Sequence, residues 1–134
     1  MELHLNTVGV LLMLLSVSHL IFPRYFKWKN ELSGLSHINR QMMYVHAFFI
    51  AFGVFLMGLL CLTSANELTD SILGQRISLG LGIFWVTRLF AQFFGYSAIL
   101  WKGKRFETTV HLLLTGLWIY FSWTFLAIFF TDVK

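Results

Sequence analysis

The chain has 134 residues, of which 57% are hydrophobic and only 12% are charged, and its mean hydropathy is +0.73. Since soluble domains carry about 25% charged residues, this composition excludes an ordinary soluble protein and predicts a small integral membrane protein of one domain. The net charge of +4 comes from short basic runs beside apolar segments, which argues against binding to nucleic acid.

Four long apolar segments predict membrane-spanning helices at about residues 7–22, 41–63, 77–100 and 107–130. Each comes near the roughly 17–25 residues that a helix needs to cross the hydrocarbon core. Because the connections are short, we expect an all-α, up-down-up-down four-helix bundle. Pro23 is expected to end the first helix and Asn39 to cap the second, while residues 64–76 are expected to form a short polar loop.

Lysine and arginine indicate how these helices are oriented. The loop between the first and second helices and the loop between the third and fourth together carry seven basic residues, whereas the opposite side carries two. The loop residues are Arg24, Lys27, Lys29, Arg40, Lys102, Lys104 and Arg105, and the two others are Arg76 and Lys134. The positive-inside rule places both loops in the cytoplasm and both termini on the non-cytoplasmic side. We therefore expect a multi-pass protein of the bacterial inner membrane.

Four ionisable residues fall inside the apolar segments, one in each predicted helix: His19, His46, Arg88 and His111. Such a residue is costly in a bilayer unless it is paired or liganded, so each is a candidate site residue. At about 1.5 Å per residue, the three histidines lie roughly 6–7 Å from the cytoplasmic ends of their helices, Gln92 roughly 9 Å and Arg88 roughly 15 Å. This pattern predicts a polar cup that opens toward the cytoplasm.

Further side chains share the faces of these residues. In the third and fourth helices polar and large aromatic residues recur at intervals of three and four, which places them in one stripe per helix. Polar stripes of membrane helices face the bundle interior, so we expect this set to line the site. The set comprises Trp85, Arg88, Gln92 and Tyr96 on the third helix and His111 and Trp118 on the fourth.

The first interpretation of the cup is a cofactor site with a redox function. Imidazole binds iron, copper and zinc, and a pair of helices can present axial histidines to heme b. We expect His19, His46 and His111 to be the ligands. Gln92 and Glu107 would orient the imidazoles from behind, and Arg88 would anchor an anion such as a heme propionate.

The second interpretation needs no metal. The cup would bind a quinone, a lipid or another amphiphilic anion, with a histidine donating to a carbonyl oxygen and Arg88 holding a negative group. A third interpretation is an accessory subunit of a larger membrane complex, or a homo-oligomer, whose polar stripes pair with a partner's helices. The sequence leaves open whether the protein is an enzyme.

Overall fold

The computed structural model describes residues 1–95, 103 and 105–131, and all regular secondary structure in these residues is helical. Four helices are long and apolar enough to cross a membrane, namely α1, α3, α5 and α6, and α2 and α4 are short connecting helices. The chain is therefore an all-helical, multi-pass membrane protein. The helices are α1 (Glu2–Tyr25), α2 (Trp28–Glu31), α3 (His37–Thr63), α4 (Ala65–Asp70), α5 (Ile72–Phe94) and α6 (Arg105–Phe130).

The chain folds as two compact units. Leu3–Ala65 forms the N-terminal unit, which contains α3 and nearly all of α1. Met1–Glu2 and Asn66–Lys134 form the C-terminal unit, which contains α5 and α6. Each unit is thus built on one pair of long helices.

In the N-terminal unit, α1 and α3 pack closely because small residues face each other. A Cβ atom built on Gly58 would lie 2.9 Å from the Gly9 carbonyl oxygen, so the two backbones are nearly in contact. Further along, the Ser16 hydroxyl donates a hydrogen bond of 2.7 Å to the Ala51 carbonyl oxygen. Small residues that allow close backbone approach, together with interhelical hydrogen bonds, are what holds helices together in a membrane. Both contacts fit one antiparallel register.

The end of α1 differs from the prediction. The helix continues through Pro23 to Tyr25, so Pro23 does not end it. A proline removes the hydrogen bond to the carbonyl four residues earlier, and here that single loss falls within the last turn. The helical hydrogen-bond pattern resumes after the proline, since the Phe26 N–H donates to the Phe22 carbonyl oxygen at 2.9 Å.

The start of α3 also differs. Its N-cap is Ser36, whose hydroxyl accepts a hydrogen bond from the Asn39 N–H at 3.4 Å. The helix therefore begins at His37 and not after Asn39, because serine three residues before a free backbone N–H satisfies that donor. The apolar run alone missed this polar first turn.

A tight corner joins α4 to α5 inside the segment that was expected to be a loop. Ser71 caps α5, because its hydroxyl accepts from the Gly74 N–H at 2.9 Å and donates to the Glu67 carbonyl oxygen at 2.6 Å. A Cβ atom built on Gly74 would overlap the Glu67 carbonyl oxygen and lie 2.6 Å from the Leu68 Cα atom. Only glycine fits at this point of the corner.

In the C-terminal unit, α5 and α6 pack as an antiparallel hairpin along their lengths. At one end the Gln75 side-chain amide donates to the Thr131 carbonyl oxygen at 2.5 Å. Midway, Trp85 packs edge-on against Phe121 with ring centroids 5.1 Å apart, and both side chains are fully buried. The other end of the hairpin holds the polar residues of the candidate site.

We predict that Gly74→Ala destabilises the protein by about 1–3 kcal/mol, the usual cost of overpacking, because the new methyl group overlaps the backbone of α4. Gly80→Ala is the matched control, since a Cβ atom at Gly80 meets nothing within 4 Å. Thermal unfolding of the detergent-purified variants measures both effects. Equal melting temperatures for the two variants would contradict this account of the corner.

Candidate functional site

A polar cluster lies between α5 and α6, centred on the side-chain amide of Gln92, which is only 4% exposed. Its Oε1 atom accepts hydrogen bonds from Arg88 Nη1 at 3.2 Å and from Trp118 Nε1 at 3.4 Å. Its Nε2 atom lies 2.8 Å from His111 Nδ1. Arg88, Gln92, His111 and Trp118 are termed the α5–α6 polar cluster.

The cluster determines which way the Gln92 amide points. A guanidinium and an indole N–H are donors only, so the atom of Gln92 that faces Arg88 and Trp118 must be the oxygen. The NH2 group is thereby directed at His111. The orientation of this amide, which geometry alone often leaves ambiguous, follows from its two donor neighbours.

The amide in turn determines the tautomer of His111. Since the Gln92 NH2 group donates to Nδ1 at 2.8 Å, Nδ1 must carry a lone pair and no proton. A neutral imidazole has one N–H and one acceptor nitrogen, so Nε2 carries the proton. His111 is thus a hydrogen-bond donor at Nε2 and has no lone pair left there for a metal ion.

Aromatic rings form one wall of the cluster. The Arg88 guanidinium carbon lies 4.9 Å from the centroid of the Trp118 ring, a cation–π contact of about 0.5–2 kcal/mol. Trp118 stacks on Trp85, with centroids 5.2 Å apart and planes inclined by 12°. Both tryptophans are buried, whereas Arg88 and His111 are half-buried. The guanidinium of Arg88 and the imidazole of His111 are therefore partly accessible, while the two tryptophan rings beside them are buried.

Helical spacing explains why these residues meet. Arg88 and Gln92 are one turn apart on α5, which is the spacing at which helix side chains are neighbours. Trp118 lies two turns beyond His111 on α6, and large helical side chains lean back toward the helix N-terminus. Trp118 and His111 can therefore both reach Gln92 from the same face of α6.

The two histidines of the N-terminal unit have the opposite tautomer. Nδ1 of His19 lies 2.8 Å from the Leu15 carbonyl oxygen, and Nδ1 of His46 lies 2.7 Å from the Met42 carbonyl oxygen. A carbonyl oxygen only accepts, so in both residues Nδ1 carries the proton. In the neutral imidazole each Nε2 consequently presents a lone pair, the state in which an imidazole ligates a metal.

The register of α1 and α3 places these two histidines at similar heights. In the antiparallel register set by the Ser16–Ala51 hydrogen bond, the levels of His19 and His46 differ by two residues, or about 3 Å. His19 is half-buried and its ring centroid lies 5.0 Å from that of Phe22, whereas His46 is exposed.

Several of the predicted site residues meet in the C-terminal unit and others do not. Within the described ranges, no group of three or more His, Cys, Asp and Glu side chains is placed to hold a metal ion. Glu107 is exposed in the first turn of α6, and Tyr96 lies outside the described residues. His19 and His46 belong to the N-terminal unit. The predicted residues that meet are Trp85, Arg88, Gln92, His111 and Trp118.

Two buried polar atoms of α5 lack a hydrogen-bond partner among the described residues: one belongs to the predicted site residue Trp85, and the other to Ser78, which the sequence pattern did not single out. Ser78 Oγ and Trp85 Nε1 are the buried side-chain polar atoms that have no hydrogen-bond partner among the residues described. Leaving such a group unsatisfied costs about 1–3 kcal/mol. Ser78 lies two turns before Trp85 on the same face of α5, and this spacing was the available signal. This face of α5 thus buries two polar atoms that make no hydrogen bond with the described residues.

Comparisons with known proteins give no further guidance. The chain matches no protein-family model, and neither curated proteins nor solved structures gave a match. The apolar helices define the class, a multi-pass membrane protein. Any more specific function has to be argued from the geometry of its polar groups.

We predict that His111 Nδ1 is unprotonated in the intact protein, whereas His19 Nδ1 and His46 Nδ1 are protonated. ¹⁵N-histidine NMR of the detergent-purified chain distinguishes these states. Gln92→Glu should switch His111, because the new carboxylate cannot donate and its oxygens accept a proton from Nδ1.

The matched control is Gln75→Glu, which changes the amide at the other end of the hairpin and should leave the His111 signals unchanged. A protonated Nδ1 on His111 in the unmodified protein would show that the Gln92 amide points the other way.

Proposed function

We propose that this chain is a protein of the bacterial inner membrane that binds a quinone or an acidic lipid at the α5–α6 polar cluster, without a metal ion. The proposal includes an up-down-up-down arrangement of four helices in a single domain, with both termini on the non-cytoplasmic side. It is supported by the seven basic residues of the two helix connections and by the positive-inside rule.

The observation that carries the proposal is the directed set of hydrogen bonds around Gln92. Arg88 and Trp118 determine the orientation of the Gln92 amide, and the amide in turn makes His111 a hydrogen-bond donor at Nε2. The two half-buried groups of the cluster, a guanidinium and an imidazole N–H, are therefore both donors. A site edged by donors is complementary to an oxygen-rich headgroup.

A quinone ring is the ligand that suits this edge best. It carries carbonyl oxygens that accept hydrogen bonds, and its reduced forms carry negative charge that a guanidinium stabilises. Gln92 and the Trp118 ring are both neutral, so neither of these two contacts neutralises the positive charge of Arg88. A fatty-acid or phospholipid oxygen would use the same two groups.

The same hydrogen bonds weigh against the three-histidine metal site. For His111 to ligate through Nε2, its Nδ1 would need a proton and an acceptor. Gln92 would then have to present its oxygen to His111 and its NH2 group to Arg88 and Trp118, placing donors against donors. The cost of that arrangement favours the ligand-binding interpretation over the metal-binding one.

We predict that Arg88→Gln and His111→Phe each weaken the binding of decylubiquinone by about tenfold or more, the effect of losing one strong hydrogen bond. Quenching of the intrinsic tryptophan fluorescence at constant detergent measures the affinity. A parallel titration with oleate tests the carboxylate form of the ligand.

The matched controls remove the same chemical groups elsewhere: Arg76→Gln on the exposed side of α5, and His46→Phe in the N-terminal unit. Both should bind as the unmodified protein does. Equal losses in all four variants, or binding of both probes that no variant changes, would refute the proposed site.

A second function is favoured by one specific observation, the shared tautomer of His19 and His46. Both present an Nε2 lone pair, both are oriented by a backbone carbonyl oxygen, and they lie at similar heights on the antiparallel pair α1 and α3. Orientation of an imidazole through its other nitrogen is typical of metal-binding histidines. Heme b held by these two histidines would supply electron-transfer chemistry and give the protein a redox function.

We predict from this second candidate that protein purified from heme-supplemented cells shows a Soret band. His19→Ala and His46→Ala should each abolish the band, whereas His111→Ala should keep it. A colourless preparation, or loss of the band only in the His111 variant, would eliminate this function and leave quinone or lipid binding as the proposal.

A further inference from the structure

A basic cavity lies where α1 ends and the chain turns into α2. Its volume is about 430 Å³, and it is lined by Pro23, Arg24, Lys27, Lys29, Asn30 and Tyr44. All six residues belong to the N-terminal unit. Three of them are basic and none of the six is acidic, so the lining concentrates positive charge in one concave place.

The backbone around the cavity is held in an unusual shape. Lys27 has φ 53° and ψ 49°, the left-handed conformation that side chains rarely adopt. Its carbonyl oxygen accepts from the N–H groups of Asn30 and Glu31 at 3.0 and 2.9 Å, and its own N–H bonds the Arg24 carbonyl oxygen at 3.2 Å. Strain of this kind persists only where the surrounding structure determines it. The backbone that carries Lys27 and Lys29 therefore has a well-defined turn conformation.

One residue of the lining, Tyr44, belongs to the membrane-spanning helix α3. Tyr44 lies seven residues into α3, which begins at His37, so it stands about 10 Å along the helix from its start. Trp28 packs edge-on against Tyr44, with ring centroids 5.5 Å apart. Tyrosine and tryptophan favour the level of the lipid headgroups. The lining thus combines three basic groups with the aromatic ring of Tyr44.

We propose that this cavity binds the phosphate of an anionic phospholipid headgroup, with Arg24, Lys27 and Lys29 contacting the phosphate and Tyr44 beside the glycerol region. Lysine and arginine next to a membrane segment attract anionic lipids. The concave lining and the set turn make this a site for one lipid molecule, in addition to the general attraction of the bilayer surface. The site shares no residue with the α5–α6 polar cluster, and the proposal does not depend on the function of that cluster.

Native mass spectrometry of the full chain in detergent, titrated with phosphatidylglycerol or phosphatidylcholine, tests the proposal. One phosphatidylglycerol should bind in preference to phosphatidylcholine. Lys27→Ser combined with Lys29→Ser should weaken that binding roughly 25-fold, from about fivefold for each juxtamembrane basic residue. The matched control, Arg40→Gln with Arg105→Gln, removes two charges from the same proposed face outside the cavity and should keep the selectivity.

Three outcomes would overturn the lipid site. Equal losses in both double variants would show general charge attraction, and equal binding of the two lipids would show no headgroup recognition. Inorganic phosphate that binds as tightly as phosphatidylglycerol would show a site for a free anion. Circular dichroism of each variant verifies that the helices are retained, and Lys27→Arg with Lys29→Arg should restore binding if positive charge in the cavity is the cause.

Discussion

The side-chain amide of Gln92 is the constraint on which the polar part of this protein depends. Its oxygen accepts from Arg88 and Trp118, and its NH2 group donates to His111. Donors on one side leave the amide a single favourable orientation. An arginine in a membrane helix, an indole and an imidazole are thereby joined into one network, in which each member sets the hydrogen-bonding state of the next.

That network distinguishes His111 chemically from His19 and His46, although the sequence predicts similar depths for all three. His111 takes its proton state from a neighbouring helix, whereas His19 and His46 take theirs from the carbonyl one turn earlier on their own helices. The first arrangement makes His111 Nε2 a hydrogen-bond donor, and the second leaves the Nε2 atoms of His19 and His46 as potential metal ligands. The predicted depths and the spacing grouped the three imidazoles together, but the position of the proton distinguishes His111 from His19 and His46.

Much of this architecture follows from local pattern. The spans follow from the runs of apolar residues, and the meeting of Arg88 with Gln92 follows from their spacing of one turn. The tautomer of His111 could not be predicted, because it depends on the Gln92 amide of α5, whose orientation is determined by Arg88 and Trp118. Pro23 and Ser36 show a similar limit, since apolar runs mark where a helix enters the hydrocarbon and not where its hydrogen bonds end.

The position of Arg88 also bears on how the protein is made. Of the four spans, α5 has the lowest hydropathy, and a charged residue in a helix opposes its release from the translocon into lipid. While α5 stands alone, the guanidinium has Gln92 one turn away, but the indole of Trp118 is still to be synthesised. The Arg88–Trp118 contact therefore favours insertion of α5 together with α6, as a helical pair that leaves the translocon in one step.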